Sequence, residues 1–126
     1  VNIGASCDVG ASWGLPRWVG LRRALEIAML GDMLDAEAAE RMGLINRVVE
    51  ADALPAEAMA LAQRLASGPT IALGQLRRLM RGSFDRDLPA QLEAESAAFG
   101  SCAASADFKV GIDAFFARRK PAFTGR

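Results

Sequence analysis

The stretch that decides the fold lies near the start of the chain, and reads Ile3-Gly4-Ala5-Ser6-Cys7-Asp8-Val9-Gly10-Ala11-Ser12-Trp13-Gly14-Leu15-Pro16-Arg17-Trp18-Val19-Gly20. Its glycines allow the backbone to turn sharply and to approach a ligand closely. Pro16 predicts that no regular helix runs through the segment. Asp8 is the only acidic residue of the stretch, and no basic residue adjoins it in sequence.

Asp8 has two interpretations. An isolated carboxylate among small and apolar neighbours suits a general base that takes a proton from a substrate. An aspartate just before a helical turn, here one starting near Gly10, can instead cap the free N–H groups of that turn. Spacing alone favours the cap.

The pattern around Asp8 resembles one segment of the crotonase superfamily, the enoyl-CoA hydratases and isomerases. Further matching motifs follow in the family's order and cover essentially the whole chain. They are Ala24-Leu25-Glu26, Leu30-Gly31, the run from Ala38 to Val49, and Gly111-Ile112-Asp113-Ala114-Phe115-Phe116-Ala117-Arg118-Arg119-Lys120-Pro121.

The resemblance implies an α/β fold, the crotonase-like β/α spiral. Residues 1–51 would form the end of the spiral core, and the β-branched run Leu44–Val49 would be the strand that closes its last turn. Residues 52–126 would form the helical region through which family members assemble into trimers, often paired into hexamers. Leucine and phenylalanine at helical spacing predict four amphipathic helices in this second region.

Two helices are predicted between the first stretch and the predicted strand at Leu44–Val49. Apolar residues recur at helical spacing from Leu21 to Met29, and Gly31 is a natural terminator. Asp35 predicts the N-cap of a helix over residues 36–42, which Gly43 would end.

The chain opens with Val1, at a point where the resemblance is already mid-domain. An upstream half of the fold is therefore expected as a partner of this chain. The resemblance implies that this upstream half supplies the N–H donors of the oxyanion hole and the acidic pair used by hydratases.

Composition excludes several classes of function. Fifteen basic and fifteen acidic residues cancel, which argues against nucleic-acid or membrane-surface binding. The chain has no histidine, so histidine-based triads and histidine metal sites are excluded, and no other metal-ligand pattern appears. Cys7 lacks a neighbour that would activate its thiol. No apolar run is long enough to span a bilayer, and a cytoplasmic protein is expected.

The resemblance also implies site residues. Asp8-Val9-Gly10 is similar to a pattern of dienoyl-CoA isomerases, in which the aspartate is catalytic. Trp13 could line an acyl pocket, although core packing is open for it. Phe115 and Arg118 match the aromatic and basic residues that contact the adenine and 3′-phosphate of coenzyme A, which is typically bound in a neighbouring subunit. Each residue also has an ordinary structural interpretation. Phe115 could be partly buried in the core, and Arg118 could be a cation that the helix dipole favours near the C-terminus of the helix.

Three functions remain open on the sequence. The favoured one is double-bond isomerisation of an acyl-CoA thioester by proton transfer, with stabilisation of an enolate. The second is addition of water to a 2-enoyl-CoA by acids upstream of this chain. The third is a non-catalytic helical oligomerisation or adaptor piece. No cofactor is expected beyond coenzyme A as part of the substrate.

Overall fold

A computed structural model describes residues 1–126 and contains helices but no β-strand. The chain divides into two units, Val1–Leu54 and Pro55–Arg126. The α-helices are α1 (Ala11–Val19), α2 (Leu21–Leu30), α3 (Ala36–Met42), α4 (Leu54–Ala66), α5 (Thr70–Gly82), α6 (Leu88–Ala103) and α7 (Ala106–Phe116), with one 3₁₀ turn at Ser83–Asp85.

In the first unit, α1 packs on α2, and local signals set the helix ends. Gly31 ends α2 in the left-handed region, with φ 65°. Asp35 caps α3, because its Oδ1 accepts a hydrogen bond from the Ala38 N–H at 2.6 Å, and Gly43 ends that helix with φ 79°. The predictions for α2 and α3 are confirmed.

The prediction that Pro16 interrupts the first stretch is wrong. Helix α1 runs through Pro16 from Ala11 to Val19. The fixed φ of proline lies within the helical range, and although Pro16 lacks an N–H and its ring crowds the preceding turn, the helix ends only three residues later.

The prediction of an α/β fold is also wrong for this chain, because residues 44–49 form no strand. A strand needs a neighbouring strand to satisfy its backbone, and none is present among residues 1–126. The segment is tied to α3 instead. The Leu44 N–H donates to the Ala39 carbonyl at 2.9 Å, and the Val48 N–H donates to Oε1 of Glu40 at 3.1 Å.

The second unit is helical, and its predicted amphipathic helices are confirmed as α4 to α7. Helix α6 packs against both α5 and α7. Asp87 and Ser105 cap α6 and α7 through their side-chain oxygens. An edge-to-face contact between Phe99 and Phe108, with ring centroids 5.8 Å apart, joins α6 to α7.

Neither unit buries a large apolar side chain. The buried hydrophobic residues are the alanines Ala24, Ala39, Ala98 and Ala114, and many leucines, methionines and phenylalanines are exposed. Such uncovered apolar surface marks contact with further protein or with ligand. No helix combines the length and the apolar character needed to cross a membrane.

Candidate functional site

Asp8 lies exposed in the loop before α1. The N-cap of α1 is Gly10, and no side chain caps that helix. Asp8 contributes its backbone carbonyl, which accepts the Ala11 N–H at 2.9 Å. The capping interpretation is therefore wrong.

The residue after Asp8 has a strained backbone. Val9 has φ 44° and Gly10 has φ 86°, both in the left-handed region. Glycine adopts this region readily, but a β-branched residue there is an outlier. Non-glycine residues in strained conformations persist where the surroundings fix them, and they concentrate at functional sites.

A groove of about 550 Å³ opens in the first unit beside the Asp8 loop. Ser6 and Cys7, immediately before Asp8, contribute to one wall, and Leu25 and Met29 of α2 contribute to the lining. The lining is mainly apolar with a few hydroxyl and thiol groups, a composition that suits an acyl chain.

Trp13 does not line this groove, although its neighbour Ser12 does. Its side chain is 55% exposed, and the Arg17 guanidinium lies 4.0 Å from the centre of its ring. The same arginine donates from Nη1 to the Trp13 carbonyl at 3.0 Å. Trp13 is thus an exposed aromatic face with a cation stacked on it.

Phe115 and Arg118 lie on the turn that ends α7. Phe115 is 75% exposed and meets Phe116 edge to face, with centroids 5.6 Å apart. The Arg118 N–H donates to the Phe115 carbonyl at 3.1 Å, so this turn joins the two residues directly. Both side chains are open to a ligand.

Arg118 has φ 50°, and with Val9 it is one of two non-glycine residues at positive φ. The Arg119 N–H donates to the Ala114 carbonyl at 3.0 Å, which together with the Arg118–Phe115 bond forms a Schellman motif. Glycine is the usual residue at the left-handed position of that motif. Here a long cationic side chain occupies it.

Asp107 is a buried acid that no motif of the sequence indicated. It is 2% exposed at the start of α7. The Thr124 backbone N–H lowers the pKa of its carboxyl, and although burial opposes this, the Gly125 N–H and the Thr124 hydroxyl lower it further. Its position in the first turn after the Ser105 cap could be read from the sequence, but its hydrogen-bond partners lie 17 and 18 residues away along the chain.

The remaining candidate groups add no further site. Cys7 is exposed and Cys102 is half-buried, and both are free thiols. Asp8 and Trp13 belong to the first unit, and Phe115 and Arg118 belong to the second. Each pair therefore stands as a separate element of a candidate site.

Similarity to known proteins gives these elements a family. The family model described as enoyl-CoA hydratase/isomerase matches residues 1–126. The chain belongs to the enoyl-CoA hydratase/isomerase family. The resemblance seen in the sequence is thereby confirmed.

Individual relatives carry both activities in their names. The chain is 40% identical over 125 residues to a "Probable enoyl-CoA hydratase" of Rhodobacter capsulatus, covering 99% of this chain and 49% of that protein. It is 38% identical over 125 residues to the 1,2-epoxyphenylacetyl-CoA isomerase of Escherichia coli, covering 99% and 48%. The chain thus spans about half the length of the curated relatives it matches.

A solved structure agrees. The enoyl-CoA hydratase/isomerase from Cupriavidus metallidurans superposes with a TM-score of 0.91 at 32% identity, over 98% of this chain and 47% of that one. The helices described above are therefore part of the family's fold, even though this chain contains no strand.

Proposed function

We propose that the protein containing this chain shifts a double bond in an acyl-CoA thioester by proton transfer, with Asp8 as the proton carrier. The observation that carries the proposal is the exposed Asp8 carboxylate, in a loop that contributes Ser6 and Cys7 to the wall of an acyl-sized groove. The left-handed backbone of Val9, directly after Asp8, supports the proposal, because strained residues cluster at functional sites.

The chemistry requires one carboxylate. The Asp8 carboxylate takes a proton from an acyl carbon activated by the thioester, and the electron pair moves into the carbonyl as an enolate. Asp8 then returns the proton to another carbon, so the double bond moves and no atom is gained or lost. The N–H donors that hold the enolate oxygen would come from outside this chain, as the family resemblance implies.

Phe115 and Arg118 would meet the coenzyme A end of a substrate bound in a neighbouring subunit. The exposed Phe115 ring offers a face for the adenine, and the guanidinium fork of Arg118 can pair with the 3′-phosphate. Trp13 lies outside the groove of the first unit, so we do not assign it to the wall of the acyl site.

Assembly of several copies is part of the same proposal. Leu76, Leu92 and Phe99 are among the exposed apolar residues of the second unit. Covering them against other copies of the protein would give the trimer or hexamer that the resemblance implies.

Hydration of a 2-enoyl-CoA is the second candidate. The Rhodobacter capsulatus relative is named as a hydratase and is as similar to this chain as the isomerase from Escherichia coli. In that reaction acids outside this chain would activate water, and Asp8 would be dispensable.

Substitution of Asp8 by asparagine in the protein that contains this chain separates the candidates. Asparagine keeps the shape but cannot take the proton, so we expect the isomerase rate to fall roughly 100- to 10,000-fold. The matched control is Asp32→Asn, another exposed aspartate of the first unit, which should leave the rate unchanged. Hydration that survives Asp8→Asn would favour the hydratase, and assembly without any turnover would favour the adaptor function.

A further inference from the structure

The tail that follows α7 is fastened to the start of the same helix by Asp107. Oδ1 of Asp107 accepts the Thr124 N–H at 2.7 Å and the Thr124 hydroxyl at 3.2 Å. Oδ2 accepts the Gly125 N–H at 2.8 Å. The backbone N–H of Asp107 donates to the Arg126 carbonyl at 2.9 Å. Both carboxylate oxygens are therefore used to hold the tail.

Packing supports this fastening along the length of the tail. A Cβ built on Gly111 would lie 3.5 Å from the Phe123 ring, so the ring lies against the glycine face of α7. Phe123 also helps to line a cavity of about 200 Å³ beside Pro69 and Ile112. The tail thus returns along α7 and closes a hairpin with the helix as its first arm.

The other end of this hairpin is the Schellman turn that carries Arg118. The turn is held by the bonds from Arg118 to Phe115 and from Arg119 to Ala114. Arg118 therefore lies between two fixed points, the end of α7 and the tail held by Asp107. A left-handed arginine persists only where such surroundings determine its backbone.

We propose that Asp107 is a positioning residue, which fixes the Arg118 turn by fastening the tail and so aims the Arg118 guanidinium at the nucleotide end of coenzyme A. This inference rests on the proposed function of Arg118. Asp107 itself is buried and would touch no substrate.

The charge state of Asp107 suits a residue that holds the tail at neutral pH. Its pKa is lowered, chiefly by the Thr124 N–H, so the carboxylate stays ionised at neutral pH. An ionised carboxylate is the stronger acceptor for the N–H groups that it binds.

The test measures binding of coenzyme A and of pantetheine, which lacks the nucleotide, by calorimetry on the protein that contains this chain. Arg118→Asn removes the cation but tolerates a left-handed backbone, and we expect it to weaken coenzyme A binding about 10- to 100-fold. Asp107→Asn should weaken the same binding and also lower the hydrogen-exchange protection of the Thr124 and Gly125 amides. The double variant should bind no more weakly than Arg118→Asn alone. Pantetheine binding should not change.

The control is Asp113→Asn, which removes a half-exposed carboxylate of α7 that pairs with Lys109 and does not touch the tail. It should leave coenzyme A binding and both amides unaffected. If Asp107→Asn does not fold, Thr124→Val removes one of the three bonds to the carboxylate and should give a smaller loss of the same kind.

The outcomes keep the two proposals apart. Looser Thr124 and Gly125 amides with unchanged coenzyme A affinity would overturn the positioning role of Asp107. Losses that add in the double variant would overturn it as well, because the two residues would then act independently. Unchanged affinity in Arg118→Asn would instead contradict the proposed function of Arg118.

Discussion

Helices α3 and α7 end in the same way but with different residues. In α3 the Gly43 N–H donates to the Glu40 carbonyl at 2.9 Å, and the Leu44 N–H donates to the Ala39 carbonyl at 2.9 Å. In α7 the equivalent bonds run from Arg118 and Arg119 at 3.1 and 3.0 Å. The left-handed position is glycine in one turn and arginine in the other. The preference of the left-handed backbone for a residue without a Cβ explains the glycine but not the arginine.

The segments that follow the two helices are also held differently. After α3, the exposed Glu40 side chain accepts a single bond, from Val48. After α7, the buried Asp107 carboxylate accepts three bonds from the tail. The strained turn is therefore the one with the stronger support. This difference supports the proposal that Arg118 acts through its side chain and that the tail holds the left-handed backbone of its turn.

Acid should weaken the bonds that hold the tail after α7, and among the predictions that compare the two turns we expect the largest effect from this one. The folded-state pKa of Asp107 lies below the ordinary aspartate value of 3.8, so its contribution is complete above that value and disappears as the pH falls through the lowered pKa. In this window the protection of the Thr124 and Gly125 amides should fall by up to about tenfold per pH unit. Hydrogen exchange followed by NMR measures it.

The Asp107→Asn variant is the control for the acid experiment. Asparagine does not titrate. In this variant the Thr124 and Gly125 amides should therefore have low protection at every pH, without a further loss of protection caused by protonation of residue 107. An equal acid-dependent loss in the variant would assign the effect to another group and remove the difference between the two turns.

Substitution of Gly43 by alanine measures the strain of the shared turn by itself. No atom lies within 4 Å of a Cβ built on Gly43, so only the left-handed backbone, φ 79°, opposes the side chain. We expect the free energy of unfolding to fall by about 1 kcal/mol. Urea denaturation measures it, and Gly43→Asn should be affected less, because asparagine tolerates this region. No change in the alanine variant would mean that the strain at Arg118 is negligible as well.

Local signals could be read from the sequence. Asp35 and Gly43 gave the bounds of α3 because a cap and a left-handed terminator act within a few residues. The strand at Leu44–Val49 was wrong because β-branched composition does not supply a partner strand. Asp107 was missed because its partners, Thr124 and Gly125, are brought to it only by the return of the tail. Asp8 was readable as a candidate, yet the strain at Val9 that supports it appears only in the backbone angles.

Substitution of Arg118 by glycine should have the smallest effect on stability and in the opposite direction. Glycine relieves the left-handed strain at φ 50° but gains freedom in the unfolded chain, so we expect a net stabilisation of about 0.5 kcal/mol. The same variant loses the cation and should bind coenzyme A more weakly. Arg118→Lys keeps both the strain and a positive charge, and should leave stability unchanged while retaining part of the affinity. A glycine variant that is destabilised would show that the arginine side chain supports the fold, which would make Arg118 a structural residue and end its contrast with Gly43.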